Sequence, residues 1–137
     1  MTLAVLDASV VVRWYVVDDP FHAEALKVRH LYEAIAPALL QAEVANAMWK
    51  YVRIGRMQIE DACEGVAVLS DLLTLTDDRL LIGAAQRLSA ELNHPVHDCL
   101  YLALARRDAA VLITADRRLA DRGHDLGLSV QRIGARP

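Results

Sequence analysis

The chain has 137 residues and two cysteines, a size typical of one domain (residues 1–137) that buries its core without disulfides or a structural metal. Its formal net charge of −3 gives no indication of nonspecific nucleic-acid binding through an overall basic surface. The apolar fraction of 55% and the mean hydropathy of +0.22 are high for a soluble domain, so we expect apolar surface that a partner covers.

Short strands and helices alternate along the predicted chain. The runs LAVLD and AVLIT are continuously apolar, which is typical of strands covered on both faces. Strands separated by helices predict an α/β fold with a parallel sheet, in which ligands bind at the carboxyl ends of the strands. The predicted strands are 3–7, 33–36, 74–76, 110–114 and 128–133, and the predicted helices are 38–54, 58–73, 79–92 and 96–107.

The N-terminus and the cysteines indicate a cytoplasmic protein. The first residues lack an early Lys or Arg, and Asp7 interrupts the apolar run, so no signal peptide is expected. No uncharged apolar stretch reaches the roughly 18 residues of a membrane span, so no membrane association is predicted. Cys63 and Cys99 have no metal-binding spacing, and we expect both to be buried thiols in a reducing compartment.

Two aspartates follow predicted strands. Asp7 ends the first strand, and Asp116 follows the strand AVLIT almost at once. Because parallel strands place their carboxyl ends at one edge of the sheet, both side chains are expected there. For each, the alternative is the N-cap of the next helix, and this alternative is stronger for Asp116 than for Asp7, which apolar residues flank on both sides.

A third acid, Glu43, lies in the middle of the helix 38–54, on the same apolar face as Leu40 and Ala47. A residue in mid-helix cannot be a cap, which favours a functional role over a Glu whose carboxylate reaches water from the edge of the stripe. Asn46, one turn later, either orients Glu43 or is an exposed polar residue.

The fourth acid, Asp98, lies in the first turn of the helix 96–107, where the helix dipole favours a carboxylate. It shares a face with Tyr101 and Leu102, so we expect it to point inward. The nearby His94 and His97 lack a second His or Cys pair that would complete a zinc site. We interpret them as surface residues at the start of the helix.

Inward carboxylates at these four positions would repel one another unless they were protonated or neutralised. Carboxylate oxygens suit Mg²⁺ or Mn²⁺, and such sites usually serve phosphate chemistry. The sequence therefore predicts a metal site formed by Asp7, Glu43, Asp98 and Asp116.

The segments around these acids resemble those of a known family. LDAS, AEVANAMWK, HDCLYLALA and LITAD occur in this order and over nearly the whole chain, as in PIN-domain ribonucleases and, more narrowly, the VapC toxins of toxin–antitoxin pairs. The resemblance implies a three-layer α/β/α domain with a central parallel sheet of about five strands. It also implies that the four acids bind one or two Mg²⁺ or Mn²⁺ ions, with Ser9 and Thr114 as supporting hydroxyls.

The resemblance further implies a homodimer, silenced by a VapB-type antitoxin that often inserts a basic side chain into the acidic pocket. The expected activity is that of an endoribonuclease toxin, in which a metal-activated water attacks an RNA phosphodiester. Glu43 would complete the metal site or position the water. The candidate contacts to the RNA backbone are Arg13, Lys50, Arg53, Arg117 and Arg118.

Other α/β classes match less well. A receiver-like regulatory domain needs a Lys after a late strand, but Lys27 and Lys50 are the only lysines. A phosphatase of the haloacid dehalogenase type needs a second acid where Ser9 stands. No Gly-rich phosphate loop is present. A non-catalytic metal-binding or protein-interaction module is the remaining alternative.

Overall fold

A five-stranded parallel sheet forms the centre of the computed structural model, which describes residues 1–134. The strand order β3-β2-β1-β4-β5 places β1 in the middle, with Val5 opposite Ile35 and Leu112. Ala4, Val5 and Leu6 are completely buried because helices cover both faces, as their unbroken apolar pattern predicts. The strands are β1 (Leu3–Leu6), β2 (Glu33–Pro37), β3 (Thr74–Thr76), β4 (Val111–Thr114) and β5 (Val130–Arg132).

Eight helices in residues 1–134 complete a three-layer α/β/α arrangement. One set contains α7 in contact with α6 and α8, and the other contains α1, α3 and α4. Every residue from Cys99 to Ala105 in α7 is buried, so this helix is part of the core. The helices are α1 (Ala8–Val11), α2 (His22–Leu31), α3 (Leu39–Arg53), α4 (Ile59–Ala67), α5 (Leu69–Leu72), α6 (Ile82–Leu92), α7 (Val96–Arg107) and α8 (Arg117–Asp125).

The predicted fold class is confirmed, and the corrections concern helix bounds and three helices that were not predicted. The single helix predicted over 58–73 is wrong, because Val68 separates α4 from α5. The helix predicted over 79–92 begins only at Ile82, after a 3₁₀ turn. Helices α1, α2 and α8 were not predicted: α1 is a single turn within the apolar run after β1, and α2 and α8 each bury only two or three small or apolar residues among mostly polar ones.

The two cysteines differ from the prediction in one case. Cys99 is buried, as expected, but Cys63 is exposed on α4. No helix within residues 1–134 combines the length and the apolarity that crossing a bilayer requires.

Candidate active site

Asp7 is a buried carboxylate at the carboxyl end of the central strand, with 7% of its surface exposed. Ser9 donates a hydrogen bond of 2.6 Å from Oγ to Oδ1 of Asp7, and Thr114 donates one of 2.9 Å from Oγ1 to Oδ2. Each carboxylate oxygen therefore has one hydroxyl partner, and neither has an ion-pair partner in residues 1–134. Burial of a carboxylate without a cation is costly.

The same two hydroxyls connect β1 and the start of α1 to the loop after β4. Ser9 Oγ accepts a hydrogen bond of 2.9 Å from the Ala115 N–H, and Thr114 Oγ1 accepts one of 2.9 Å from the Asp116 N–H. Each hydroxyl is thus a donor to Asp7 and an acceptor from a backbone N–H in the loop after β4. This network fixes the position of Asp7 relative to the backbone of Asp116.

Burial raises the pKa of Asp7 to about 7, against an ordinary value of 3.8. The hydrogen bonds from Ser9 and Thr114 oppose this increase, while the nearby charges of Asp116 and Glu43 add to it. The carboxyl group therefore holds a proton to a higher pH than an ordinary aspartate does. A cation beside it would favour the charged form.

Glu43 lies half-buried on α3, which follows β2. The Tyr101 hydroxyl on α7 donates a hydrogen bond of 2.5 Å to Oε1 of Glu43. Burial raises the pKa of Glu43, the Tyr101 hydrogen bond and His97 lower it, and Asp98 raises it further. Burial and the Glu43 charge keep the pKa of Tyr101 far above its usual value, so Tyr101 remains a donor.

Tyr101 was not predicted as a site residue, because its position on the apolar face of α7 indicates only core packing. Asn46, which was considered as a partner of Glu43, is exposed on α3 and makes no hydrogen bond to that residue. The structure therefore favours the alternative that Asn46 is an exposed polar residue.

Asp98 lies in the first turn of α7 with 22% of its side chain exposed. Its Oδ2 lies 2.7 Å from Nε2 of His94, and its Oδ1 lies 3.5 Å from Nε2 of His97. His97 is exposed, as predicted, but the prediction that His94 is a surface residue is wrong, because only 6% of it is exposed. The one feature of the sequence that could have predicted this contact is the position of His94 four residues before Asp98.

Asp116 is exposed and is the N-cap of α8. Its Oδ1 accepts hydrogen bonds of 2.8 Å from the Arg118 N–H and 3.2 Å from the Leu119 N–H. The capping alternative is therefore correct for this oxygen. Asp116 still influences Asp7, whose pKa its charge raises, so capping does not remove it from the site.

The four acids lie at the carboxyl edge of the sheet, where pairs of them affect each other's ionisation. No three Asp, Glu, His or Cys side chains in residues 1–134 already form a metal-ligand cluster. The donor set nevertheless fits Mg²⁺ or Mn²⁺, because all four donors are carboxylates and Mg²⁺ commonly keeps several waters and uses one or two carboxylates. The buried charge of Asp7 is the feature that a cation would stabilise.

The five predicted RNA contacts lie in different environments. Arg13 donates hydrogen bonds to the Ser9 carbonyl oxygen in α1 and to Asp19, so its guanidinium connects α1 to the segment around Asp19. The other four cations are exposed: Lys50 shares a groove with Glu43, Arg53 covers the Trp49 ring at 4.8 Å, Arg117 lies 4.0 Å from Asp121, and Arg118 follows the α8 cap.

Comparison with known proteins identifies a family that covers most of the chain. The family model of the PIN domain matches residues 4–125. A curated relative, Ribonuclease VapC3 of Pyrobaculum aerophilum, is 28% identical over 121 residues, which are 86% of this chain and 92% of the relative.

Solved structures share the fold at low sequence identity. VapC20 of Mycobacterium tuberculosis, described as a sarcin–ricin loop cleaving toxin, has a TM-score of 0.69 and 13% identity, covering 98% of this chain and 99% of that one. VapBC2 of Rickettsia felis, bound to a DNA fragment from its promoter, has a TM-score of 0.65 and 12% identity, covering 96% of this chain and 99% of that one. The three-layer architecture agrees with both.

Proposed function

The chain belongs to the PIN-domain family, and from this we propose that it is a divalent-metal-dependent endoribonuclease, the toxin of a VapBC-type pair. One observation carries the proposal. Asp7 is buried at the carboxyl end of β1, held by two hydroxyls, and its pKa is raised to about 7 beside other acids. A fold that needed only stability would place an apolar residue there, since an unpaired buried carboxylate is destabilising. The ribonuclease named among its relatives supports the same activity.

Asp7, Glu43, Asp98 and Asp116 would hold the ion, which when bound supplies Lewis-acid stabilisation of a phosphodiester undergoing hydrolysis. Ser9 and Thr114 keep both oxygens of Asp7 fixed, so that its charge is presented in one direction. Tyr101 holds Oε1 of Glu43 and leaves Oε2 to contact the ion or to orient a water. Mg²⁺ is the expected ion, and Mn²⁺ has the same ligand preferences.

The RNA backbone would contact cations at the rim of this pocket. Lys50 is the best placed of the candidates because it lines the same groove as Glu43. Arg53, Arg117 and Arg118 are exposed to solvent, where phosphates could reach them, while Arg13 would act by holding α1 through the Ser9 carbonyl oxygen. Arg and Lys bind phosphate through charge-assisted hydrogen bonds.

The expected protein partners are a VapB-type antitoxin and a second copy of the chain. The VapBC2 complex among the structural neighbours supports the first of these. Exposed apolar residues on α3 and α4, including Trp49 and Ile59, supply surface that a partner would cover. The acids of the pocket would attract a basic side chain of the antitoxin.

The test is RNA cleavage by purified protein in Mg²⁺, compared with protein in EDTA. We expect Asp7→Asn to lower the rate by at least about 100-fold, the upper range for residues that support a metal site. Asp121→Asn makes the same chemical change at an exposed acid on α8 and should leave the rate unchanged. Equal cleavage by the native protein and Asp7→Asn would contradict the proposal, as would metal binding without cleavage of any RNA tested.

A further inference from the structure

His94 is a buried polar residue that is neither a proposed metal ligand nor a proposed RNA contact. The buried polar or charged residues within 1–134 are Asp7, Thr114 and His94. The first two form the hydrogen-bonded centre of the candidate site. An imidazole in the interior also requires a partner, and its partner is Asp98.

The backbone on both sides fixes His94 between two helices. Helix α6 ends at Asn93, which adopts the left-handed conformation (φ 51°, ψ 52°) that Asn tolerates better than most residues. The His94 N–H donates to the Ser89 carbonyl oxygen at 3.2 Å, and Pro95 is the N-cap of α7. The imidazole therefore has little freedom to follow Asp98 if Asp98 moves.

His94 contacts only one of the two carboxylate oxygens of Asp98. The distance from Nε2 to Oδ2 is 2.7 Å, which is in the range of charge-assisted N–H···O bonds. The His94 side chain is 4% exposed and the Asp98 side chain 22%. The imidazole thus lies on the inner side of the carboxylate, and Oδ1 is left on the more open side.

We propose that His94 is a positioning residue of the metal site: it holds Oδ2 of Asp98 and leaves Oδ1 free for the ion. This inference rests on the proposed metal-dependent function. Hydrogen-bonded partners of metal-binding carboxylates orient them, and their loss typically weakens metal affinity by about 10- to 100-fold. His97, which lies 3.5 Å from Oδ1 and is 57% exposed, lacks the burial and the close contact needed for this role.

The experiment measures Mn²⁺ affinity in RNA-free protein by electron paramagnetic resonance of the free ion. His94→Gln and His94→Met have nearly the same shape, but only Gln has a side-chain N–H that can donate to Oδ2. We expect His94→Met to raise the Kd for Mn²⁺ by about 10-fold or more. His94→Gln should stay within about threefold of the native Kd, because it keeps a donor for Oδ2. The control His97→Gln should change the Kd less than His94→Met does, because His97 is exposed and does not contact Oδ2.

A double-mutant test shows whether His94 acts through Asp98 or only supports the fold. In an Asp98→Asn background, His94→Met should have no further effect on the Kd, since the carboxylate that it acts through is gone. An undiminished effect in that background would overturn the proposal, as would equal Kd values for His94→Met and the native protein.

A second experiment uses the native protein, so it tests the proposal even if His94→Met does not fold. With ¹⁵N-labelled histidine, Mg²⁺ binding should shift the ring signals of His94, assigned by their loss in His94→Gln. Mg²⁺ binding that leaves those signals unmoved would overturn the proposal. Native protein that binds neither ion would overturn both the inference and the proposed function. Coupled Kd values without RNA cleavage would support His94 as a positioning residue and contradict only the nuclease.

Discussion

The two halves of the candidate site hold their acids in different ways. On the β1–β4 side, Asp7 is buried and its hydroxyl partners are themselves bonded to backbone N–H groups of the neighbouring loop. On the α3–α7 side, Glu43 and Asp98 are half-buried, and each is held by one side chain, Tyr101 or His94. The first half is fixed by the sheet, whereas the second depends on the packing of helices.

This difference indicates which half of the site lowers the stability of the fold when no metal is bound. In the rigid half, burial opposes the charge of Asp7, and no cation within residues 1–134 forms an ion pair that would offset it. The α3–α7 half is more open, so water can solvate its carboxylates without the metal. Free energies of unfolding measured in EDTA should therefore respond strongly to changes around Asp7 and weakly to changes around Glu43.

The largest expected effect is on the pH dependence of stability. Because the pKa of Asp7 is raised in the folded state, the stabilising effect of its proton is complete below pH 3.8 and is lost as pH rises to about 7. A shift of this size corresponds to at most about 4 kcal/mol. Native protein in EDTA should lose stability from pH 4 to 8, and Asp7→Asn should remove most of this decline. Denaturant titrations that show parallel pH profiles would contradict the assignment.

The second effect is the loss of the hydroxyl link between the strands. Thr114→Val keeps the shape of the side chain but removes the donor to Asp7 and the acceptor for the Asp116 N–H. We expect a loss of about 2 to 3 kcal/mol, since buried polar groups are left unpaired. Thr114→Ser retains the hydroxyl and should recover most of it. A chemical denaturation curve for Thr114→Val that overlays the native curve would show that the link is not needed.

The third effect, in the open half, should be smaller. Tyr101→Phe removes the hydroxyl that holds Glu43, but water can reach this half-buried carboxylate. We expect a loss of about 1 kcal/mol in the free energy of unfolding. A loss as large as that of Thr114→Val would remove the distinction between the two halves.

The smallest effect is expected at Asn46, which is exposed and makes no hydrogen bond to Glu43. Asn46→Ala should change the free energy of unfolding by less than about 0.5 kcal/mol. Its rate of RNA cleavage should also remain close to native. A large loss of activity would show that Asn46 contributes to the active site.

The sequence predicted the rigid half better than the open half for a physical reason. Strands covered on both faces leave continuous apolar runs, so β1 and β4, with Asp7 and Asp116 at their ends, were visible in the pattern. The pattern did not predict the partners of Glu43 and Asp98. The burial of His94 and the direction of Tyr101 depend on how the helices α6, α7 and α3 pack against one another. A single polar residue on a helix has no periodic signal.

The central claim is that a metal ion neutralises the charge of Asp7. Calorimetric titration of Mn²⁺ at pH 6, repeated in buffers of different ionisation enthalpy, counts the protons released on binding. Because the pKa of Asp7 is raised to about 7, the native protein should release a proton from this carboxyl group on binding, and Asp7→Asn should release fewer protons per ion. Binding without proton release by the native protein, or equal release by both proteins, would contradict the account.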